Sequence, residues 1–288
     1  MNFFTELDKI MKQDMGGRGL LGALPANPVK QTLETLKDAK RVILLSGFPV
    51  RMADGTYIGE TDGPSGTANL AYALSEFGAD VLVITDKASY GLFDAALSYR
   101  APKANLTLLP EENTEEFIKN MILTFQPTHF ISLERPGKAA DGHYHNMRGE
   151  FIDDMITDSA LLLTEARAFG AVVLSIGDGG NEMGMGVFRD IVVHNVPCGE
   201  QICSGDQADI ALASGVSNWW SWGIAAILSR ETDMDLLPTD EEETELLHQV
   251  VMAGGVDGCT KENVETVDNL SLETNLSVLR SVRNLLQL

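Results

Sequence analysis

The chain has 288 residues, 44% hydrophobic and 22% charged, which is an ordinary globular composition with length for one large α/β domain or two small ones. That apolar content excludes disorder as the main state, and 27 Gly with 10 Pro exclude a collagen-like or low-complexity chain. Lys and Arg total 21 against 42 Asp and Glu, a net of −21, so phosphate backbones and anionic lipid surfaces are repelled and neither nucleic acid nor a membrane is an expected partner.

Along the chain, residues 1–14 mix acids and Lys with apolar residues, unlike a signal or transit peptide, and residues 3–11 read as a helix packed on the body. A strand follows at 41–45, then a polar, glycine-rich loop and a helix at 64–77 stopped by Gly78. Strands at 80–85, 105–109 and 129–133 alternate with helices near 94–99 and 114–125. A helix at 159–169, strands at 171–176 and 208–213, and a helix at 217–230 continue the pattern. The acidic stretch 233–245 reads as a solvated loop and helix face, and helices at 240–252 and 271–286 close the chain.

Short Val/Ile/Leu runs alternating with helices predict βαβ units in a three-layer α/β/α fold with a mainly parallel sheet. The expected organisation is a single α/β domain over 1–288, with an N-terminal helical segment at 1–35 and a C-terminal helical extension at 232–288 packed on it. No apolar run reaches bilayer length; the longest, 219–228, reads as a short buried helix. Cys198, Cys203 and Cys259 are an odd, sparse set that fits a reducing compartment, so a cytoplasmic protein is expected. Cys198 and Cys203 have the spacing of half a metal site, but no second pair completes it.

Polar and glycine-rich sequence gathers directly after the strands, where open parallel sheets bind ligands. Gly177-Asp178-Gly179 opens like a dinucleotide fingerprint, but Glu182 stands where a third glycine belongs and would repel a pyrophosphate. No nucleotide cofactor is therefore expected. The acids suit a cation better. Asp178 and Glu182, four apart, would share a helix face, and Asn181 adds an amide oxygen. Glu60 and Asp62, two apart, would point the same way from an extended loop. Glu134 follows the fourth strand directly and Asp141 lies in its loop. Oxygen ligands without a His/Cys cluster suit Mg²⁺ or Mn²⁺, so Glu60, Asp62, Asp178, Asn181 and Glu182 are the candidate metal ligands. Each acid also has a plainer reading, with Asp62 and Asp178 as helix caps and Glu182 in a helix's first turn.

Among these acids lie Arg135, Lys138 and Arg148, candidates for holding an anionic substrate or, equally, partners in local salt bridges. Glu134, Asp141 and His143 are the candidates for proton transfer, with His145 beside them; His129 and His194 read as core residues. Asn218 is a candidate substrate contact, although Ser217 or Asn218 also reads as the cap of the helix that follows. Trp219, Trp220 and Trp222 read either as interior packing or as a self-association face of a homo-oligomer. No Gly-x-Ser-x-Gly elbow or Cys/His pair points to covalent hydrolysis.

Four strings together resemble the D-glutamate cyclase-like C-terminal domain family: Glu60-Thr61-Asp62-Gly63-Pro64, Glu134-Arg135-Pro136-Gly137, Asp141-Gly142-x-Tyr144-x-Asn146-Met147-Arg148-Gly149, and the run from Gly177 through Asn181-Glu182-Met183-Gly184 to Gly186. Gly215-Val216-Ser217-Asn218-Trp219 also fits, and the match runs from Gly16-Gly17-Arg18-Gly19 to about residue 230. The resemblance implies an α/β fold, conversion of D-glutamate to 5-oxo-D-proline and water, and a divalent metal. Eukaryotic members carry an additional N-terminal domain that is also associated with the cyclase name. The expected function is thus a metal-assisted lyase acting on a small anionic metabolite such as D-glutamate. The alternatives are a divalent-metal-dependent phosphatase using the same acids and a non-catalytic metabolite-binding module.

Overall fold

Every residue of the strand His129–Leu133 is buried, as a strand covered by helices on both faces must be. The computed structural model describes residues 2–287; Met1 and Leu288, the ends of the expected span, lie outside the described residues. The strands are β1 (Arg41–Ser46), β2 (Pro49–Arg51), β3 (Tyr57–Gly59), β4 (Asp80–Thr85), β5 (Asn105–Leu108), β6 (His129–Leu133), β7 (Val172–Gly177), β8 (Ile210–Ala213), β9 (Thr266–Val267) and β10 (Leu270–Ser271). The helices are α1 (Phe3–Met11), α2 (Val29–Leu36), α3 (Pro64–Glu76), α4 (Tyr90–Arg100), α5 (Thr114–Phe125), α6 (Ala160–Phe169), α7 (Arg189–Asn195), α8 (Gly199–Ile202), α9 (Trp219–Thr232), α10 (Asp240–Met252) and α11 (Leu272–Leu286).

Six strands form one parallel sheet in the order β5-β4-β1-β6-β7-β8. Alternation along each strand divides the core in two. Val42, Leu44, Val81, Val83, Ile131 and Leu174 face a large layer that includes α1, α3, α4, α9, α10 and α11. Ile43, Leu45, Leu82, Ile84, Phe130 and Val173 face α5 and α6. The result is the expected three-layer α/β/α arrangement. The chain builds outward from β1 through β4 to β5, then returns to the other side of β1 with β6. The winding therefore reverses between β1 and β6, and a crevice opens beyond their carboxyl ends.

Several local expectations change. The helix expected at 94–99 extends over Tyr90–Arg100, and the loop after β1 contains the β2–β3 hairpin. His194 is exposed on α7, outside the core. Within the acidic stretch, Glu243 is buried and accepts from Asn69 Nδ2 (2.7 Å) and Trp222 Nε1 (3.3 Å). The tryptophans are interior: Trp219 donates to Asn275 and Trp220 to the Ala213 carbonyl, so α9 presents no tryptophan face to a second copy. Between α10 and α11 the C-terminal part is not helical. There β9 and β10 pair through Asp268 and Asn269, both at positive φ (54° and 61°), the signature of a tight hairpin turn. Among the described residues, no helix is long and apolar enough to cross a membrane.

His129 is buried at the start of β6, its ring between Thr128 Oγ1 and the Thr35 carbonyl, and burial pushes its pKa below the ordinary value. A histidine with a depressed folded pKa favours the folded state while neutral and loses that advantage as pH falls below its unfolded value, about 6.5. His129→Asn should therefore flatten the fall of the melting temperature between pH 7 and about 5.5 relative to the wild type. Thermal melts across that range check it, and parallel curves would refute it.

Candidate functional site

The crevice holds a cavity of about 450 Å³, within the usual size for a small-molecule site. Its floor is built by strand ends and two distant loops. Glu134 follows β6 at φ 43°, a left-handed conformation uncommon for a residue with a side chain. The Gly47 amide donates to its carbonyl (3.1 Å), and the Ser217 hydroxyl donates to its carboxylate. Strained backbone of this kind concentrates at functional sites. Asp178 follows β7. Glu60 arrives from the end of β3, bridged to Val256, and Asp268 from the β9–β10 turn. Arg18, from the loop after α1, binds Asp178 Oδ1 through Nη1 and Asp268 Oδ1 through Nη2, the latter at 2.7 Å.

Asp62 lies just beneath this floor and is fixed by an exchange of caps. Its carboxylate accepts from the Ser217 (3.0 Å) and Asn218 (2.9 Å) amides at the start of α9. Asn218 Oδ1 in turn accepts from the Gly63 (2.9 Å) and Gly66 (2.8 Å) amides in the first turn of α3. Each helix start is thus capped by the other's loop. The close approach requires glycine at 66, where a Cβ would collide with the Asn218 amide.

Carboxylate atoms of Asp62, Glu134 and Asp178 lie within 4.8 Å of one another, all buried. Asp178 Oδ2 has no hydrogen-bond partner. A buried orphan carboxylate oxygen beside two more carboxylates is the donor set a hard cation takes, so this group can hold a metal ion. Desolvation raises the pKa of Glu60, Asp62 and Glu134 well above the carboxylate range, and mutual repulsion among the acids adds to it. Asp268 is raised by burial and drawn back by Arg18. Burial opposes the Arg18 charge, but Asp268 and Glu134 outweigh it and raise the guanidinium's pKa further.

The remaining sequence candidates divide. Glu60 and Asn181 line the cavity, and Asn181 Nδ2 donates to the His145 carbonyl (3.0 Å). Glu182 also lines it, but no helix joins it to Asp178. Its carboxylate accepts from the Asp178, Gly179 and Gly180 amides (2.7–3.0 Å) and folds its own loop, and it stands outside the three-carboxylate group. Asn218 is structural, through the cap just described. Arg148 lines the rim and has no ion pair among the described residues. Arg135 does not reach the cavity: fully buried, it binds Asp86 Oδ2 (2.6 Å), Ser159 and the Thr157 carbonyl. Lys138 is paired with Asp158, His143 with Asp153, and Asp141 with His145; none of the three lines the cavity. The 138–158 loop that carries them forms the roof instead. Its Ile152 and Met155 pack with Phe48 and Tyr144 in a small core of their own.

Arg18, Asp268, Cys259 and Lys261 line the cavity and are not among the candidate site residues the sequence offers. A signal existed for two of them: Arg18 is bracketed by glycines, and Asp268-Asn269 between Val267 and Leu270 is a turn string.

Fold and site together define an α/β protein with an acid-floored cavity at the sheet's switch point. The chain matches the D-glutamate cyclase-like, C-terminal family over residues 7–283 and belongs to that family. The match reaches beyond residue 230, where the motif resemblance stops, and takes in the hairpin that delivers Asp268. The chain is also 28% identical over 235 residues to the human protein named D-glutamate cyclase, mitochondrial, a similarity covering 77% of this chain. It spans only 38% of that protein's length.

Because Arg135 and Asp86 form a buried pair, removing one partner leaves an uncompensated charge. Arg135→Met should lower unfolding free energy by about 3–5 kcal/mol. Urea unfolding measures this, and a loss below about 1 kcal/mol would show that the pair is not important to the fold.

Proposed function

We propose that the chain is a lyase that cyclises D-glutamate to 5-oxo-D-proline and water in this cavity, using Mg²⁺ or Mn²⁺ held by Asp62, Glu134 and Asp178. The observation that carries the reading is the buried three-carboxylate group with its unpartnered Asp178 oxygen, in a chain of this family. When bound, a divalent cation supplies a Lewis acid for the side-chain carboxyl, which is otherwise a poor electrophile.

The chain's own residues supply the rest. Arg148, unpaired at the rim, binds the α-carboxylate by a charge-assisted fork. Cyclisation joins the amine nitrogen to the side-chain carboxyl carbon. Two of the three ammonium hydrogens leave with one carboxylate oxygen as water. Glu60 lines the cavity with its carboxyl pKa raised by burial and by the neighbouring acids, and is the group placed to take a proton from the ammonium and return one to the departing oxygen. Phe48, Ile152 and Met155 wall the cavity with apolar surface, which limits bulk water around a reaction whose reverse is hydrolysis.

Purified protein with Mn²⁺ should convert D-glutamate to a product lacking a primary amine and leave L-glutamate intact, followed by chiral chromatography. Phosphate release from a generic ester with D-glutamate untouched would replace the reading with a metal-dependent phosphatase. Asp178→Asn should abolish the rise in melting temperature on adding Mn²⁺; an unchanged rise removes Asp178 from the cation site. Arg148→Gln should raise KM about tenfold or more with little change in kcat, since it removes binding common to ground and transition states. An unaltered KM would place the α-carboxylate elsewhere.

A further inference from the structure

Arg135 and Arg18, both paired with acids, are built differently. Arg135 has no exposure and is bound on several sides by the fold. Arg18 keeps 20% of its side chain exposed, lines the cavity, and forms ion pairs with two floor acids, Asp178 and Asp268. Its backbone belongs to no helix or strand, and Gly17 and Gly19 beside it sit at positive φ (63° and 87°). Asp178 and Asp268 each keep a second carboxylate oxygen buried and without a partner.

Asp178 thus has two claims on it. It belongs to the three-carboxylate group, and it is also bound by the guanidinium. A guanidinium and a divalent cation on one carboxylate repel each other strongly in a buried setting. The acids Glu60, Asp62, Glu134 and Asp268 surround the same spot, and Arg18 is the cation the structure sets among them.

We propose that Arg18 is a displaceable internal counter-cation. It clamps Asp178 until a divalent cation is loaded, then releases its Nη1 edge into the cavity while Nη2 stays anchored on Asp268. The freed edge is a donor for the carboxylate of the anionic ligand. Cation and anion then bind with positive coupling, each favouring the arrangement the other needs. The inference rests on the cation site proposed above, and its test reads cation affinity, not activity.

Mn²⁺ binding to the full chain is titrated by the electron paramagnetic resonance signal of free Mn²⁺, for wild type, Arg18→Gln and Arg18→Lys, with and without D-glutamate. Arg18→Gln, which removes the competing charge, should bind Mn²⁺ at least about tenfold more tightly than wild type. D-glutamate should tighten Mn²⁺ binding to wild type by at least about fivefold, in the usual range of coupling, and tighten it clearly less in Arg18→Gln. Arg18→Lys keeps the charge but loses the two-pronged grip, so its Mn²⁺ affinity should lie between the two. It decides the matter if circular dichroism shows that Arg18→Gln is unfolded. Mn²⁺ affinity unchanged or weakened in the folded variants overturns the displacement and leaves the cation site standing. D-glutamate without effect on wild type overturns the coupling. Absence of Mn²⁺ binding in all three proteins removes the cation site and the inference together.

Discussion

The structure depends on how it accommodates carboxyl groups that repel one another away from bulk water. Two unit charges 4 Å apart interact by about 4 kcal/mol at an effective dielectric of about 20. Glu60, Glu134, Asp178, Glu182 and Asp268 converge on the cavity floor, with Asp62 just beneath it. Four devices hold them. Backbone amides hold Asp62 and Glu182, a hydroxyl holds Glu134, and one guanidinium holds Asp178 and Asp268. Glu60 is packed against Gly258, where a Cβ would overlap its carboxylate. The oxygens these devices leave unmatched on Asp178 and Asp268 are what make the floor receptive to a positive guest.

Much of the surrounding architecture serves to hold that floor. The winding order puts β1 and β6 side by side with their carboxyl ends on a crevice. The cap exchange between Asp62 and Asn218 locks the start of α3 to the start of α9 and fixes Asp62 beneath the cavity. The roof loop is held by local pairs, Lys138 with Asp158 and Asp141 with His145, and tied to the floor by Asn181. Residues that look chemical in isolation therefore do mechanical work, presenting Arg148 and the apolar wall to the cavity.

The fold class, and the sheet edge where the candidate residues gather round a cavity, were legible in the sequence because both follow from local pattern. Val/Ile/Leu runs separated by helices imply a parallel sheet, and parallel sheets bind at their carboxyl edge. Glu60, Glu134, Asp178 and Asn181 reach the cavity because each sits within a residue or a few of a strand end. The basic residues were harder to assign. A guanidinium's role is set by the partner it meets, and Asp86, the partner of Arg135, lies 49 positions away. Glu182 was legible as a neighbour of Asp178 but not as the tie that folds the loop, because a spacing of four fits a helix as well as a turn.

Taken by itself, the sequence determined the layered architecture, the family and the edge of the sheet that carries the cavity, since hydrophobic period and strand-end composition act over short distances. It did not determine which acids share a point in space or which cation stands among them. Those depend on loops that begin about 250 residues apart, Arg18 near one end of the chain and Asp268 near the other. Only the tertiary structure brings them within hydrogen-bond reach, because their proximity results from packing the whole sheet and its helices and not from any local preference of the chain.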